Sequence, residues 1–165
     1  MKRSLRIFTS VSVLGFVFLQ SCVTNTNSTN HDSISHPIDR NEVEALLFAA
    51  VQYSQRGDFN SLCSEIATMD ISCRSEINFA EQAGWYPNSS SPTINETQEI
   101  QSKSPDASPV LILKISGERS DGSRYESDFA AVRPSYTSPD DVKIITPVYW
   151  SGVKYTASTN GSARP

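Results

Sequence analysis

Residues 110–133, VLILKISGERSDGSRYESDFAAVR, predict a β-hairpin and decide the class of fold. The first part, residues 110–115, is apolar except for one lysine, which favours a buried strand. Residues 120–123 read Ser-Asp-Gly-Ser, and Asp-Gly is typical of the tight turn between two antiparallel strands. Residues 125–133 then alternate, as a strand with one buried face does. The residues predicted to share that face are Tyr125, Phe129 and Ala131.

A helical pattern precedes this hairpin. Asp39 and Glu42 have the spacing of a capping box, and Ile38 can form a hydrophobic staple with Val43. Apolar residues then recur at the spacing of one helix face until Gly57, which is typical of a helix end. Those residues are Val43, Leu46, Leu47, Ala50 and Val51. We therefore predict a first helix that begins after Asp39 and ends near Gly57.

Two shorter helices are expected next. Asp58 is expected to cap a helix over about residues 59–68. Asp70 is expected to cap a third helix over about residues 71–83, which Gly84 ends. Their cysteines, Cys63 and Cys73, would then lie on consecutive helices.

Two further strands complete the pattern. One is expected near residues 93–102, and residues 142–150 alternate as a last strand, which Pro147 makes irregular or an edge. Helices followed by antiparallel strands indicate an α+β fold. We predict two or three N-terminal helices packed on a curled, cone-like antiparallel sheet of three to four strands.

Residues 1–21 have the pattern of a bacterial export signal. Three basic residues, Lys2, Arg3 and Arg6, precede an apolar run over residues 7–19. The run is shorter than the roughly 20 residues that span a bilayer as a helix. Residues 22–37 are rich in Ser, Thr and Asn and predict a disordered tether. A single folded domain is expected over residues 38–155, followed by a flexible tail, residues 156–165.

The end of the signal, Leu19-Gln20-Ser21-Cys22, resembles the lipobox of bacterial lipoproteins. The cysteine of that motif takes a diacylglyceryl group on its sulfur and becomes the new N-terminus. The resemblance implies lipidation at Cys22, with fatty acids such as palmitate, and anchoring to a membrane outside the cytoplasm. Two alternatives stay open: a cleaved secretory signal with a chance cysteine, or an uncleaved anchor.

The cysteine count supports this interpretation. Three cysteines outside the cell would leave an odd thiol. If Cys22 carries lipid, Cys63 and Cys73 remain as a pair in a compartment that permits disulfides. Two free thiols or a metal pair are the alternatives. His31 and His36 lie in the tether and are interpreted as solvated side chains rather than as a metal site or pH sensor.

Composition excludes several classes of function. Without residues 1–21 the chain has 11 Lys and Arg against 18 Asp and Glu, a net charge of −7. An acidic domain whose basic residues are scattered is not expected to bind nucleic acid. No histidine follows His36, which excludes a Ser-His-Asp triad and imidazole zinc sites in the domain. We therefore predict no metal site and no cofactor.

The order of elements over about residues 40–152 is similar to the nuclear transport factor two superfamily. Ala49-Ala50 through Gly57-Asp58-Phe59, the pair Cys63 and Cys73, and residues 140–144 carry the resemblance. Some enzymes of that fold use a buried carboxylate as base, with a tyrosine as oxyanion donor, inside the cone. Under the resemblance the candidates are Asp128 with Tyr53 or Tyr125. Asp128 alternates against a core residue, however, and is expected to face solvent, so no catalytic residue is predicted.

Aromatic residues concentrate late in the chain. Trp85, Tyr86, Tyr149, Trp150 and Tyr155 either line a ligand cleft or protein contact surface, or complete the core. The leading hypothesis is a non-enzymatic, lipid-anchored envelope protein that binds a partner or a small ligand. The alternatives are a cone-pocket enzyme of isomerase or dehydratase type, and a structural subunit that dimerises through its sheet face.

Overall fold

The computed structural model describes residues 37–101, 109–134 and 141–156. The predicted signal, Cys22, His31 and His36 lie outside these residues. Within the described ranges, no helix is both long and apolar enough to cross a bilayer.

Three helices come first in the chain. They are α1 (Arg40–Gln55), α2 (Phe59–Ser61) and α3 (Asp70–Gln82). A π-helical turn, Leu62–Ile66, continues α2. The second helix was predicted as one continuous element, whereas the structure divides it into one α-helical turn and the wider π-helical turn.

The helix ends follow the sequence in two places and depart from it in a third. The capping box of Asp39 and Glu42 is present at the start of α1, and Gly57, with φ +69°, follows its end. Asp58 caps α2, because its carboxylate accepts the Ser61 N–H at 3.1 Å. Asp70 is not the cap of α3: it is the first helical residue, and Met69 occupies the capping position without a side-chain bond.

A four-stranded antiparallel sheet follows the helices, so the predicted α+β class is confirmed. Its strands are β1 (Thr93–Ile100), β2 (Val110–Glu118), β3 (Arg124–Val132) and β4 (Lys143–Ile144). They lie in the order β1-β2-β3-β4, so each pairs with its neighbour in the sequence. The sheet is open, with β1 at one edge.

The predicted hairpin is β2 and β3. Its turn closes through the Arg119 N–H, which donates to the Ser123 carbonyl at 2.8 Å. Gly122 has φ +82°, a backbone angle that glycine adopts without strain. The predicted face of β3 is also confirmed, because Tyr125, Phe129 and Ala131 all lie in the core.

The core lies between the helices and one face of the sheet. From β2 it takes Leu111, Leu113 and Ile115, which alternate along the strand. The opposite face of the sheet is the surface predicted for dimerisation. Ile112 and Ala130 on that face are 1% and 0% exposed in the single chain. Dimerisation through this face stays a prediction.

The last predicted strand is wrong beyond its first residues. β4 has only two residues, and the ladder stops before Pro147, which has no N–H to donate. One more backbone bond follows, from the Ile145 N–H to the Ala130 carbonyl at 2.7 Å, and the Thr146 hydroxyl then accepts the Ala130 N–H at 3.0 Å. It also donates to the carbonyl oxygen of Asp128. We call residues 145–155 the closing segment, because they turn inward after β4 and then return beside β3.

Candidate functional site

Cys63 and Cys73 form a disulfide, as predicted. Cys63 lies on the π-helical turn and Cys73 on α3, and each is 1% exposed. The bond closes a loop with a sequence separation of 10 residues. In the chain-entropy model a loop of this size stabilises the folded state by about 3 kcal/mol. The disulfide therefore fixes the corner between two short helices, and neither sulfur is a free nucleophile.

The predicted aromatic group does not form one surface. Tyr149 and Trp150 are each 1% exposed and belong to the core, whereas Tyr86 is 45% exposed and Trp85 is half-buried. Tyr155 is half-buried too, and its N–H donates to the Asp128 carboxylate at 3.0 Å. Tyr149 and Trp150 are therefore closed to a ligand, whereas Trp85 and Tyr86 lie together at the surface.

The two buried aromatics attach the closing segment to the helices. The hydroxyl of Tyr149 lies 2.9 Å from that of Ser54 on α1, and both residues are buried. Trp150 packs with its ring centroid 5.9 Å from that of Phe59 on α2, and 5.0 Å from Tyr149. These contacts explain why the segment turns inward rather than continuing along the sheet.

Arg119 lies between the buried and the exposed aromatics. It is 7% exposed, and its guanidinium carbon is 4.3 Å from the ring centroid of Trp85 and 5.6 Å from that of Tyr125. Its Nε donates to the Trp150 carbonyl at 2.9 Å. Its Nη1 donates to the Arg124 carbonyl and to the Ser123 hydroxyl, at 3.1 and 3.2 Å. One side chain thus connects the closing segment, the hairpin turn and the segment after α3.

The sequence did not predict this role for Arg119, which counted as one of several scattered basic residues. Its contacts Trp150 and Trp85 lie 31 and 34 residues away in the chain, so local spacing carries no signal of them. Burial of a guanidinium is unusual, because a charge removed from water is destabilising unless it is paired. No ion pair with Arg119 is present among the residues that the structure describes.

Exposed rings extend this cluster to the surface. Phe79, near the end of α3, meets Trp85 edge-on with centroids 5.8 Å apart, and Phe79 is 59% exposed. The backbone carbonyl of Tyr86 accepts the Ser120 N–H at 3.0 Å, which holds this segment against the hairpin turn. We call Phe79, Trp85, Tyr86 and Arg119 the aromatic corner.

The catalytic candidates do not come together. Asp128 was predicted to face solvent, but it is only 8% exposed, because the closing segment returns over it. The Asp128 N–H donates to the Val153 carbonyl of that segment at 2.9 Å. Tyr125 lies on the other face of β3, in the core. Tyr53 donates its hydroxyl hydrogen to Glu65, which is exposed. That bond is the main reason why the pKa of Tyr53 is raised.

A carboxyl group outside this set has a pKa far from its ordinary value. Burial raises the pKa of Glu76 on α3 to about 7, and the Val148 N–H acts in the opposite direction. Its Oε2 is enclosed and has no hydrogen-bond partner. The hydroxyls of Tyr125 and Tyr149 also have raised pKa values, chiefly through burial, but no carboxylate contributes to either shift. A carboxylate beside a tyrosine in a cavity is therefore not found in the described part of the chain.

A surface depression lies beside α1. Its volume is about 330 Å³, and Glu42, Ala45, Leu46 and Val142 line it. The lining offers a single charged group, so it lacks the convergent polar groups of a specific ligand site. The described residues also contain no group of three or more His, Cys, Asp or Glu placed to hold a metal ion.

Comparisons of the chain with protein-family models, with curated proteins and with solved structures found no match. The resemblances to lipoproteins and to the nuclear transport factor two superfamily therefore stay predictions.

Proposed function

We propose that this chain is a lipoprotein of the bacterial cell envelope, anchored by lipid on Cys22 and facing outside the cytoplasm. The observation that carries the proposal is the Cys63–Cys73 disulfide. The chain has three cysteines, so this bond leaves only Cys22 unpaired. Disulfides persist in oxidising compartments, where an odd thiol needs a separate explanation. Lipidation at the lipobox-like motif supplies that explanation.

The domain itself is proposed to be a non-enzymatic module that binds a small ligand or a partner. Its contact surface is the aromatic corner, where the rings of Phe79 and Tyr86 are well exposed beside half-buried Trp85. Aromatic side chains on a rigid support are typical anchors of binding sites. The support here is rigid because Trp85 stacks on a guanidinium that three hydrogen bonds hold in place.

Metabolic labelling tests the anchor. The full-length chain is produced in a bacterium supplied with an alkyne-tagged palmitate, beside a Cys22→Ala variant and a Cys63→Ala/Cys73→Ala double variant. We expect label on the native chain, loss of residues 1–21, and a mass increase on Cys22 that corresponds to lipid. The Cys22→Ala variant should stay unlabelled. The double variant lacks the disulfide but retains Cys22, so it should still be labelled. An unlabelled native chain, or label on Cys22→Ala, would contradict the proposal.

A further inference from the structure

We propose that Arg119 in the aromatic corner binds the carboxylate group of a small ligand. The inference rests on the proposed function only in that it uses the same surface and identifies the chemistry of the ligand. It does not depend on the lipid anchor.

The hydrogen bonds of Arg119 leave one nitrogen unused. A guanidinium has five N–H groups. Nε uses one on the Trp150 carbonyl, and Nη1 uses two on Arg124 and Ser123. For the two N–H groups of Nη2 there is no acceptor among the described residues, and Nη2 is not among the enclosed unpaired atoms. This nitrogen is therefore open to an incoming acceptor.

The charge of Arg119 is likewise not neutralised. The nearby carboxylate of Asp121 is directed to Ser123, whose N–H and hydroxyl donate to its Oδ1 at 2.9 and 2.6 Å. Those bonds are the main reason why the pKa of Asp121 is lowered, and the charge of Arg119 is a lesser contribution. An anionic oxygen at Nη2 would give the buried cation a direct partner, through a hydrogen bond stronger than one between neutral groups.

The geometry favours a carboxylate over a phosphate. A bidentate pair would need Nε or Nη1 beside Nη2, and both of these already donate to protein carbonyls. Nη2 can therefore hold a single oxygen of the ligand. The domain is acidic overall, which disfavours a doubly charged group. The adjacent rings of Trp85 and Phe79 offer an apolar wall. The ligand class is therefore a monocarboxylate attached to an apolar or aromatic group.

Gly152 provides a matched way to obstruct this position. A Cβ added there would lie 3.4 Å from Nη2 of Arg119, in contact with the open nitrogen. Gly152 has φ +86°, so an alanine is also strained. Gly122 has nearly the same backbone angle, φ +82°, and a Cβ added there would meet nothing within 4 Å. Gly122→Ala therefore reproduces the strain of Gly152→Ala without the contact.

Calorimetric titration of the full chain with benzoate, benzamide and phenylphosphonate tests the inference. We expect benzoate to bind at least tenfold more tightly than benzamide, its neutral analogue, and at least as tightly as phenylphosphonate. Gly152→Ala should weaken benzoate binding at least fivefold, whereas Gly122→Ala should change it less than twofold. Arg119→Lys retains the charge but loses the bonds of the guanidinium, and should weaken benzoate tenfold while circular dichroism shows the domain folded.

Three results would overturn the inference. Equal binding of benzoate and benzamide would mean that the corner holds rings and not the carboxylate. No binding of benzoate, or tighter binding of phenylphosphonate, would exclude the monocarboxylate class. Equal effects of Gly152→Ala and Gly122→Ala on affinity would place the ligand elsewhere. The anchor proposal depends on label at Cys22 and would be unaffected by each of these results.

Discussion

The hairpin of β2 and β3 and the closing segment both bury aromatic side chains, but they are held in place differently. The hairpin pairs without interruption from Leu111 with Ala131 to Glu118 with Arg124. The closing segment has no continuous ladder. Two backbone bonds join it to β3, from Ile145 to Ala130 and from Asp128 to Val153. Side chains of Arg119, Thr146 and Ser54 supply further bonds. A regular ladder spreads stability over many equivalent bonds, whereas the closing segment depends on a few specific side chains.

The largest expected effect tests whether the two regions belong to one core. Trp150 in the closing segment is 1% exposed and Phe129 in the hairpin is 0% exposed. Truncation of such a side chain costs about 3–5 kcal/mol, through lost burial and the cavity left behind. We expect Trp150→Ala and Phe129→Ala to lower the free energy of unfolding by similar amounts in this range, measured by urea denaturation.

Phe48→Ala is the control for this pair, because Phe48 is 61% exposed and its truncation should cost less than about 1 kcal/mol. A cost below about 1 kcal/mol for Trp150→Ala, beside the full cost for Phe129→Ala, would contradict a shared core. The closing segment would then be a peripheral strap that opens without unfolding the sheet.

The sequence predicted the hairpin because its determinants are local. Alternation assigns Tyr125 and Phe129 to one face, and Asp-Gly assigns the turn, with no knowledge of the rest of the chain. Alternation also assigned Asp128 to the opposite face correctly, but it could not show that the closing segment covers that face. The same limit applies to the aromatic corner: burial of Arg119 depends on Trp85 and Trp150, which only the fold brings together.

The next effect is a pH dependence of stability at Glu76, which lies on α3 against Val148 of the closing segment. Burial raises the pKa of Glu76 from its ordinary value of 4.5 to about 7, and the backbone N–H that opposes this shift is that of Val148. The folded state therefore binds this proton more tightly than the unfolded state does. Stability from this group is fully present below pH 4.5 and is lost as the pH rises to 7. At 1.36 kcal/mol per pKa unit, the loss is at most about 3.4 kcal/mol, and solvent contact at this half-buried carboxyl group reduces it.

A Glu76→Gln variant isolates this contribution, because glutamine retains the shape of the protonated acid but cannot ionise. We expect the variant to equal the native chain near pH 4.5 and to exceed it in stability at pH 8. Denaturant titrations across this range measure the difference between the two curves. Parallel curves would mean that Glu76 ionises without cost, and that the closing segment is not sensitive to its charge.

The smallest of the three effects concerns the hydroxyl that replaces the ladder. Thr146 is 6% exposed, accepts the Ala130 N–H at 3.0 Å and donates to the carbonyl of Asp128. Thr146→Val retains the volume but leaves two buried backbone groups of β3 without partners, which costs about 2 kcal/mol. Thr93→Val is the control, since Thr93 is exposed at the start of β1 and should change stability by less than about 0.5 kcal/mol. If both variants unfold at the native urea concentration, water replaces the hydroxyl. The difference between hairpin and closing segment would then lie in packing alone.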